Sequence, residues 1–266
     1  MRDKVIYYTD ELNDDFAGNN IVQKKVPSNF VYVNEGYIHK ILSFILYNII
    51  ARPIAFLYVK LVFSQRFKNK KVLKKVKNTG YFVYGNHTQG VMDAFLPSIF
   101  TFPKKDYIIV NPDAVSIKGI KTLVMMLGGL PTPSTLNSSK NFLEAIKKRI
   151  DEKNVVVIYP EAHIWPYYSD VRSFNDTSFK YPYNLEVPSF SFTNVYRKRF
   201  FKFIKRPKVV TYIDGPFYVD KNLPKKEAIR KIRDEVYNSM KKRINEKEKY
   251  EYIKYIKVED DYVINQ

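Results

Sequence analysis

The stretch Tyr81-Phe82-Val83-Tyr84-Gly85-Asn86-His87-Thr88-Gln89-Gly90-Val91-Met92-Asp93 decides how this chain is read. Its first four residues are bulky and unbroken by charge, the pattern of a short buried strand. Gly85-Asn86 ends the strand and delivers a histidine, followed by a carboxylate. In open α/β sheets, sites gather outside the carboxyl ends of strands. A histidine beside an aspartate is the minimal general-base unit, because the carboxylate fixes the imidazole tautomer and stabilises the imidazolium that forms. His87 and Asp93 are six positions apart, so one continuous helix would not put them on one face. A turn is needed between them, and Gly90 makes it easy.

A second stretch, Val155-Val156-Val157-Ile158-Tyr159-Pro160-Glu161-Ala162-His163, repeats the arrangement. A strand over residues 154–159 runs into Pro-Glu and sets Glu161 at a carboxyl end, as it does His87. Taken alone, each signal is weak. A lone His near an Asp is more often structural than catalytic, and a Glu after a strand often only caps a turn.

Outward from these stretches the chain alternates. Residues 106–110 read as a strand. Residues 117–127 read as a helix stopped by Gly128-Gly129. Residues 139–153 carry Phe142, Leu143, Ile146 and Ile150 at helical spacing, with Asn141 and Glu144 as a capping box. Residues 190–195 and 209–213 read as strands. Residues 225–249 form a charged amphipathic helix with Ile229, Ile232, Val236, Met240 and Ile244 on one face. The alternation predicts an α/β fold with a mixed, partly parallel sheet flanked by helices. The expected organisation is an N-terminal arm over 1–37, a membrane-associating segment over 38–79, a catalytic core over 80–220, and a C-terminal amphipathic helix and tail over 221–266.

Residues 38–63 are the most apolar part of the chain. A spanning helix needs about 20 apolar residues, and Arg52-Pro53 falls in the middle of this run. A central Arg costs roughly 2.5–3.5 kcal/mol on insertion scales, and Pro53 removes a helix hydrogen bond. The favoured expectation is a helical hairpin, two short helices joined at Arg52-Pro53 and lying in the membrane interface. A spanning helix and a buried core hairpin are the alternatives. The basic run Arg66, Lys68, Lys70, Lys71, Lys74, Lys75 and Lys77 follows at once. Such charges each contribute up to about 1 kcal/mol beside an acidic leaflet and favour a cytoplasmic position. A second basic cluster over 197–208 interleaves Phe200, Phe201, Phe203 and Ile204.

The chain's formal net charge of +18 implies an anionic partner: nucleic acid, an acidic membrane surface or a phosphorylated substrate. There is no cysteine, which excludes disulfides, a thiolate nucleophile and Cys-ligated metal. The start of the chain carries no apolar segment, so no signal peptide is expected. The abundance of Tyr and Phe suits a membrane interface, although biased base composition would produce it too.

Asn86-His87…Asp93 followed by Tyr159-Pro160-Glu161 resembles the PlsC-type glycerolipid acyltransferase family, typified by 1-acylglycerol-3-phosphate acyltransferases. That family shows Asn-His, four residues, then Asp, and later Phe-Pro-Glu-Gly-Thr-Arg. Val187-Pro188 before Phe190-Ser191-Phe192 is similar to its Pro-containing strand motif, and Asp214-Gly215-Pro216 to its closing turn. The resemblance covers roughly residues 54–220. Here five residues separate His87 from Asp93, Ala162-His163-Ile164 replaces Gly-Thr-Arg, and the middle motif near Gly128-Gly129-Leu130-Pro131-Thr132 has no Arg. Two arginines associated with an acceptor phosphate are therefore missing, which leaves Lys140, Lys180 or Arg172 as substitutes or another lipid or polyol hydroxyl as the acceptor.

The resemblance implies a layered acyltransferase fold and a function: moving an acyl chain from acyl-CoA or acyl-carrier protein, as co-substrate, to a lipid hydroxyl. It implies His87 as general base, Asp93 as its partner, and Asn86, Pro160, Glu161, His163, Gly129 and Lys180 in substrate binding. No cofactor or metal is implied. The expected partners are membrane lipids and an acidic membrane surface at the cytoplasmic face, with acyl-carrier protein as a possible donor and no nucleic acid. Three rivals remain. A metal-dependent hydrolase would use His87, Asp93, Glu161 and His163, but the chain has no compact His-x-x-x-His pair. A nucleic-acid module lacks any helix-turn-helix, zinc or RNA-recognition signature. A non-catalytic membrane adaptor on the same fold would account for the altered motifs.

Overall fold

The computed structural model describes residues 4–17, 24–117, 119–200, 204–246 and 249–259. Among the described residues, nine strands form two sheets. The larger sheet contains β2 (Arg66–Lys68), β3 (Tyr81–Gly85), β4 (Asp106–Val110), β5 (Gly129–Pro131), β6 (Val155–Ile158), β7 (Ser189–Arg197) and β8 (Lys208–Phe217). Its strand order is β2-β8-β7-β3-β6-β4-β5. Only the β7–β8 pair is antiparallel, so the sheet is mixed and mostly parallel. The smaller sheet pairs β1 (Lys4–Tyr8) in parallel with β9 (Ile253–Lys257), joining the two ends of the chain.

The central strands are apolar on both faces because both faces are covered. On β3, Phe82 and Tyr84 enter one core and Tyr81 and Val83 the other, as the two-residue period of a strand requires. The first core is closed by the helices Leu136–Asp151 and Lys225–Asn245. The C-terminal helix buries Ile229, Ile232, Val236, Met240 and Ile244, the face the sequence marks out. The second core is closed by Ala55 and Val59 of the apolar segment, with Leu73, Val76, Leu96, Ile99 and Phe100.

The expected hairpin at Arg52-Pro53 is overturned. The chain runs through as one helix, Tyr37–Phe63. A π-helical stretch, Ile45–Ala51, immediately precedes Arg52. Its wider i→i+5 turn takes up the missing N–H of Pro53, which a regular α-helix would not. It also keeps one face buried: Ser43, Tyr47, Arg52, Ala55, Val59 and Phe63 form a continuous stripe, with a five-residue step only between Tyr47 and Arg52. Arg52 points into protein, donating to Asn48 Oδ1 at 2.6 Å and to the Lys104 carbonyl at 2.7 Å. Its guanidinium lies over the rings of Tyr47 and Phe102.

Three smaller expectations are also corrected. The helix expected over 117–127 is shorter, Lys121–Met126, and a separate turn of helix, Asp113–Ser116, precedes it. The capping box of the next helix is Thr135 with Ser138, one turn before Asn141. Asn141 instead donates to the Ser28 carbonyl at 2.8 Å. Asp214-Gly215-Pro216 is no closing turn; it lies within β8, where the pairing with β7 shifts register. Gly215 has φ +124 there, which a side chain would oppose. Phe201, Lys202 and Phe203 of the second basic cluster, and residues 247–248 of the expected C-terminal helix, lie outside the described residues.

Candidate active site

β3 and β6 lie side by side and parallel, with Tyr84 opposite Ile158. The loops leaving their carboxyl ends therefore meet. Asn86 is buried at the base, its amide exchanging hydrogen bonds with the Asn194 backbone of β7 at 3.1 and 2.8 Å. That pair of hydrogen bonds fixes the direction in which the chain leaves β3. Gly90 then takes φ +58 and opens a 3-10 turn, Gly90–Ala94. This turn absorbs the fifth residue between His87 and Asp93 and returns the carboxylate to the imidazole.

His87 Nδ1 and Asp93 Oδ2 are 2.8 Å apart. The same oxygen accepts the Gln89 N–H at 2.9 Å. The Asp93 side chain is 1% exposed and that of His87 16%. The imidazole lies nearly flat on the Tyr159 ring, with centroids 4.3 Å apart. The Tyr159 hydroxyl donates to the Asp93 carbonyl at 2.5 Å. A buried carboxylate bonded to Nδ1 keeps that nitrogen protonated and leaves Nε2 as the base.

Glu161 is buried next to this pair. Its Oε2 accepts the His87 N–H at 3.3 Å and faces Arg172 Nη2 at 3.3 Å, while Oε1 accepts the Arg172 N–H at 3.3 Å. Burial pushes its carboxyl up to about 7, against the opposing pull of the Arg172 guanidinium. Arg172 is itself fully buried, lies over the Trp165 ring, and bonds the Glu11 and His163 carbonyls. The Trp165 and Tyr167 N–H groups bond the His87 and Thr88 carbonyls at 3.1 and 2.9 Å, which ties the two loops together. The terminal sheet packs over this loop: Tyr255 stacks on Trp165, and Tyr8 and Phe16 meet its edge.

The structure thus brings together Asn86, His87, Asp93, Pro160, Glu161 and His163. His163 is at the rim, 3.6 Å from Asp15. Gly129 is not beside them: through Ile108 and Val157 it stands level with Val83, three strands from β3. Lys180 is exposed on the helix Lys180–Leu185, and Lys140 is exposed on Leu136–Asp151. Arg172 reaches the site but faces Glu161. Tyr159 and Arg172 are the partners that spacing alone does not reveal. Arg172 comes eleven residues after Glu161 across an irregular loop, and no sequence period links them. Among the described residues, no group of three or more His, Asp or Glu is placed to hold a metal ion.

An apolar cavity of about 610 Å³ opens beside the His87 turn. Gln89, Met92 and Phe95 form one wall, and Ile50, Ala51, Ile54 and Tyr58 of the long helix the other. Arg206 closes one end and lies over the Phe63 ring.

Residues 42–190 match the family model described as Acyltransferase. The fold resembles the crystal structure of the 1-acyl-sn-glycerophosphate (LPA) acyltransferase PlsC from Thermotoga maritima, with a TM-score of 0.54 and 16% identity, covering 82% of this chain and 92% of that one. No curated protein matches the chain. With the matched segment spanning both His87–Asp93 and Glu161, the chain belongs to the acyltransferase family.

Proposed function

We propose that the protein transfers a fatty acyl chain from acyl-CoA or acyl-carrier protein to a hydroxyl of a lysophospholipid or related lipid acceptor. The 2.8 Å contact between His87 Nδ1 and buried Asp93 carries this reading. In the proposed step, His87 Nε2 takes the proton of the acceptor hydroxyl as its oxygen attacks the thioester carbonyl. The C–O bond forms, the C–S bond breaks, and the imidazolium returns the proton to the departing thiolate. Asp93 remains a carboxylate and stabilises the imidazolium. Tyr159 holds the plane of the ring, and Glu161 anchors the His87 backbone. The His87 and Gln89 N–H groups are bonded to carboxylates, so neither is free to bind an oxyanion. With no cysteine in the chain, the transfer is direct rather than through a thioester enzyme.

The apolar cavity has the lining and volume for an acyl chain. The long helix supports a monotopic placement in the cytoplasmic leaflet. It is apolar and long enough to cross a membrane. However, its buried stripe is docked on the core from Ser43 to Phe63, which suits a helix lying along the interface. Ile38, Leu42, Phe44, Ile49, Leu57 and Leu61 are exposed beside it. Arg66, Lys68, Lys71, Lys74, Lys75 and Lys77 are exposed after it and suit acidic headgroups. The burial of Arg172 against Glu161 argues that it supports the site and does not hold an acceptor phosphate.

The test offers purified protein radiolabelled acyl-CoA or acyl-carrier protein with a panel of lysolipids and polyols. Ester formation on a lysophospholipid is expected. A folded protein that acylates no acceptor would overturn the reading in favour of an adaptor.

A further inference from the structure

A second cavity, of about 480 Å³, lies at the opposite end of the sheet. It is bounded by residues 103–105 before β4, residues 152–154 before β6, and the first turns of the long helix. The strands that separate it from His87 are four to five residues long, or roughly 15 Å. Lys40, Lys104, Lys105, Arg149 and Lys153 all line it. Glu152 is the only carboxylate among the described residues that line it, and it is held by Arg149 Nη1 at 2.9 Å. Asp106, next to Lys105, takes its hydrogen bonds from Tyr47 and Thr101.

We propose that this cavity binds a phosphate group at a site separate from the acyl-transfer centre. The Arg149 guanidinium lies over the Tyr107 ring at 4.4 Å, and its Nε is buried without a partner among the described residues. Such a fork, held flat on an aromatic ring, matches two oxygens of a phosphate. Lys105 Nζ donates to Ser43 Oγ and the Met126 carbonyl, both at 2.7 Å, which uses two of its three N–H bonds. Burial, together with the neighbouring positive charge of Arg149 and Arg52, pushes its ammonium down to about 8. Lys40 is paired with Glu35 at 2.7 Å and Arg149 Nη1 with Glu152, but the buried ammonium of Lys105 and the unpartnered Nε of Arg149 still favour an anion. Asn34, Asn48 and Asn154 on the lining add neutral polar groups. This inference does not depend on the acyl-transfer reading.

The phosphate comes either from a soluble ester or from a lipid headgroup, and two arms of one experiment separate them. Calorimetry titrates the full chain with inorganic phosphate and with glycerol phosphate. Co-sedimentation uses phosphatidylcholine vesicles with and without phosphatidic acid. Arg149→Gln and the exposed Lys153→Gln are compared with wild type, with His87→Ala and with Lys226→Gln, an exposed lysine on the C-terminal helix. At least a tenfold weakening in both cavity variants, with His87→Ala and Lys226→Gln unchanged, supports the site. The arm that shows the weakening identifies the source. If Arg149→Gln does not fold, Lys153→Gln alone decides. The proposal is overturned by no binding in either arm, by equal loss in Lys226→Gln, or by loss in His87→Ala.

Discussion

The His87 imidazole is fixed on three sides. Asp93 holds Nδ1, Tyr159 lies against its face, and Glu161 holds its backbone N–H. Asp93→Asn leaves this packing intact but no longer favours the proton on Nδ1. Acyl transfer by Asp93→Asn should fall by about 10²–10⁴-fold with unchanged thermal stability, measured by turnover and melting temperature. Arg172 gives the converse case. Arg172→Met lets Glu161 take a proton but leaves the Glu11 and His163 carbonyls without their donor, so stability should fall by about 1–3 kcal/mol in denaturant titration. At this scale, His87, Asp93 and Glu161 were legible because each follows a strand end in a family-like order. In the sequence Tyr159 marks only the end of a strand, since nothing in its position reveals a ring turned under an imidazole. Arg172 stands in the sequence only as a substitute for a phosphate-binding arginine. Its buried ion pair with Glu161 depends on a loop that no periodicity describes.

The long helix shows how an element can satisfy a sequence that seems to forbid it. Arg52 and Pro53 argue for a break, yet the π-helical stretch accommodates the proline and turns the arginine into protein. Local propensity could not show this, because the Asn48 and Lys104 partners that satisfy Arg52 come from tertiary structure. The residues on the open face should act on membrane binding alone. Leu57→Glu with Leu61→Glu should abolish sedimentation with acidic vesicles while shifting stability by less than about 0.5 kcal/mol. Both side chains are exposed, at 56% and 77%. The inner face should set chain length: Ala51→Phe fills part of the cavity beside Gln89 and should shift donor preference toward shorter acyl chains in a competition assay.

In the whole molecule, strand-and-helix alternation made the mixed sheet legible, and the double-sided burial of β3 and β6 follows from their apolar runs. The terminal sheet was not legible. β1 and β9 are short and lie 245 residues apart, from Tyr8 to Ile253, so only folding shows them to be neighbours. Two buried carboxyls make a pH-dependent contribution to stability. Burial raises Asp106 from 3.8 to about 6 and Glu161 from 4.5 to about 7. Both bind a proton more tightly folded than unfolded, so the stability they contribute is lost as pH rises through about 4 to 7. Asp106→Asn should remove its share, on the order of 1–3 kcal/mol, and flatten the decline between about pH 4 and 6 in denaturant titrations. The central claim is that His87 is the base of an acyl transfer. Its most direct test is the rate of ester formation by wild type and by His87→Ala, both shown folded by circular dichroism and melting. Transfer by the wild type that drops at least about 10²-fold in His87→Ala is the predicted result. Equal transfer by the two proteins would contradict it.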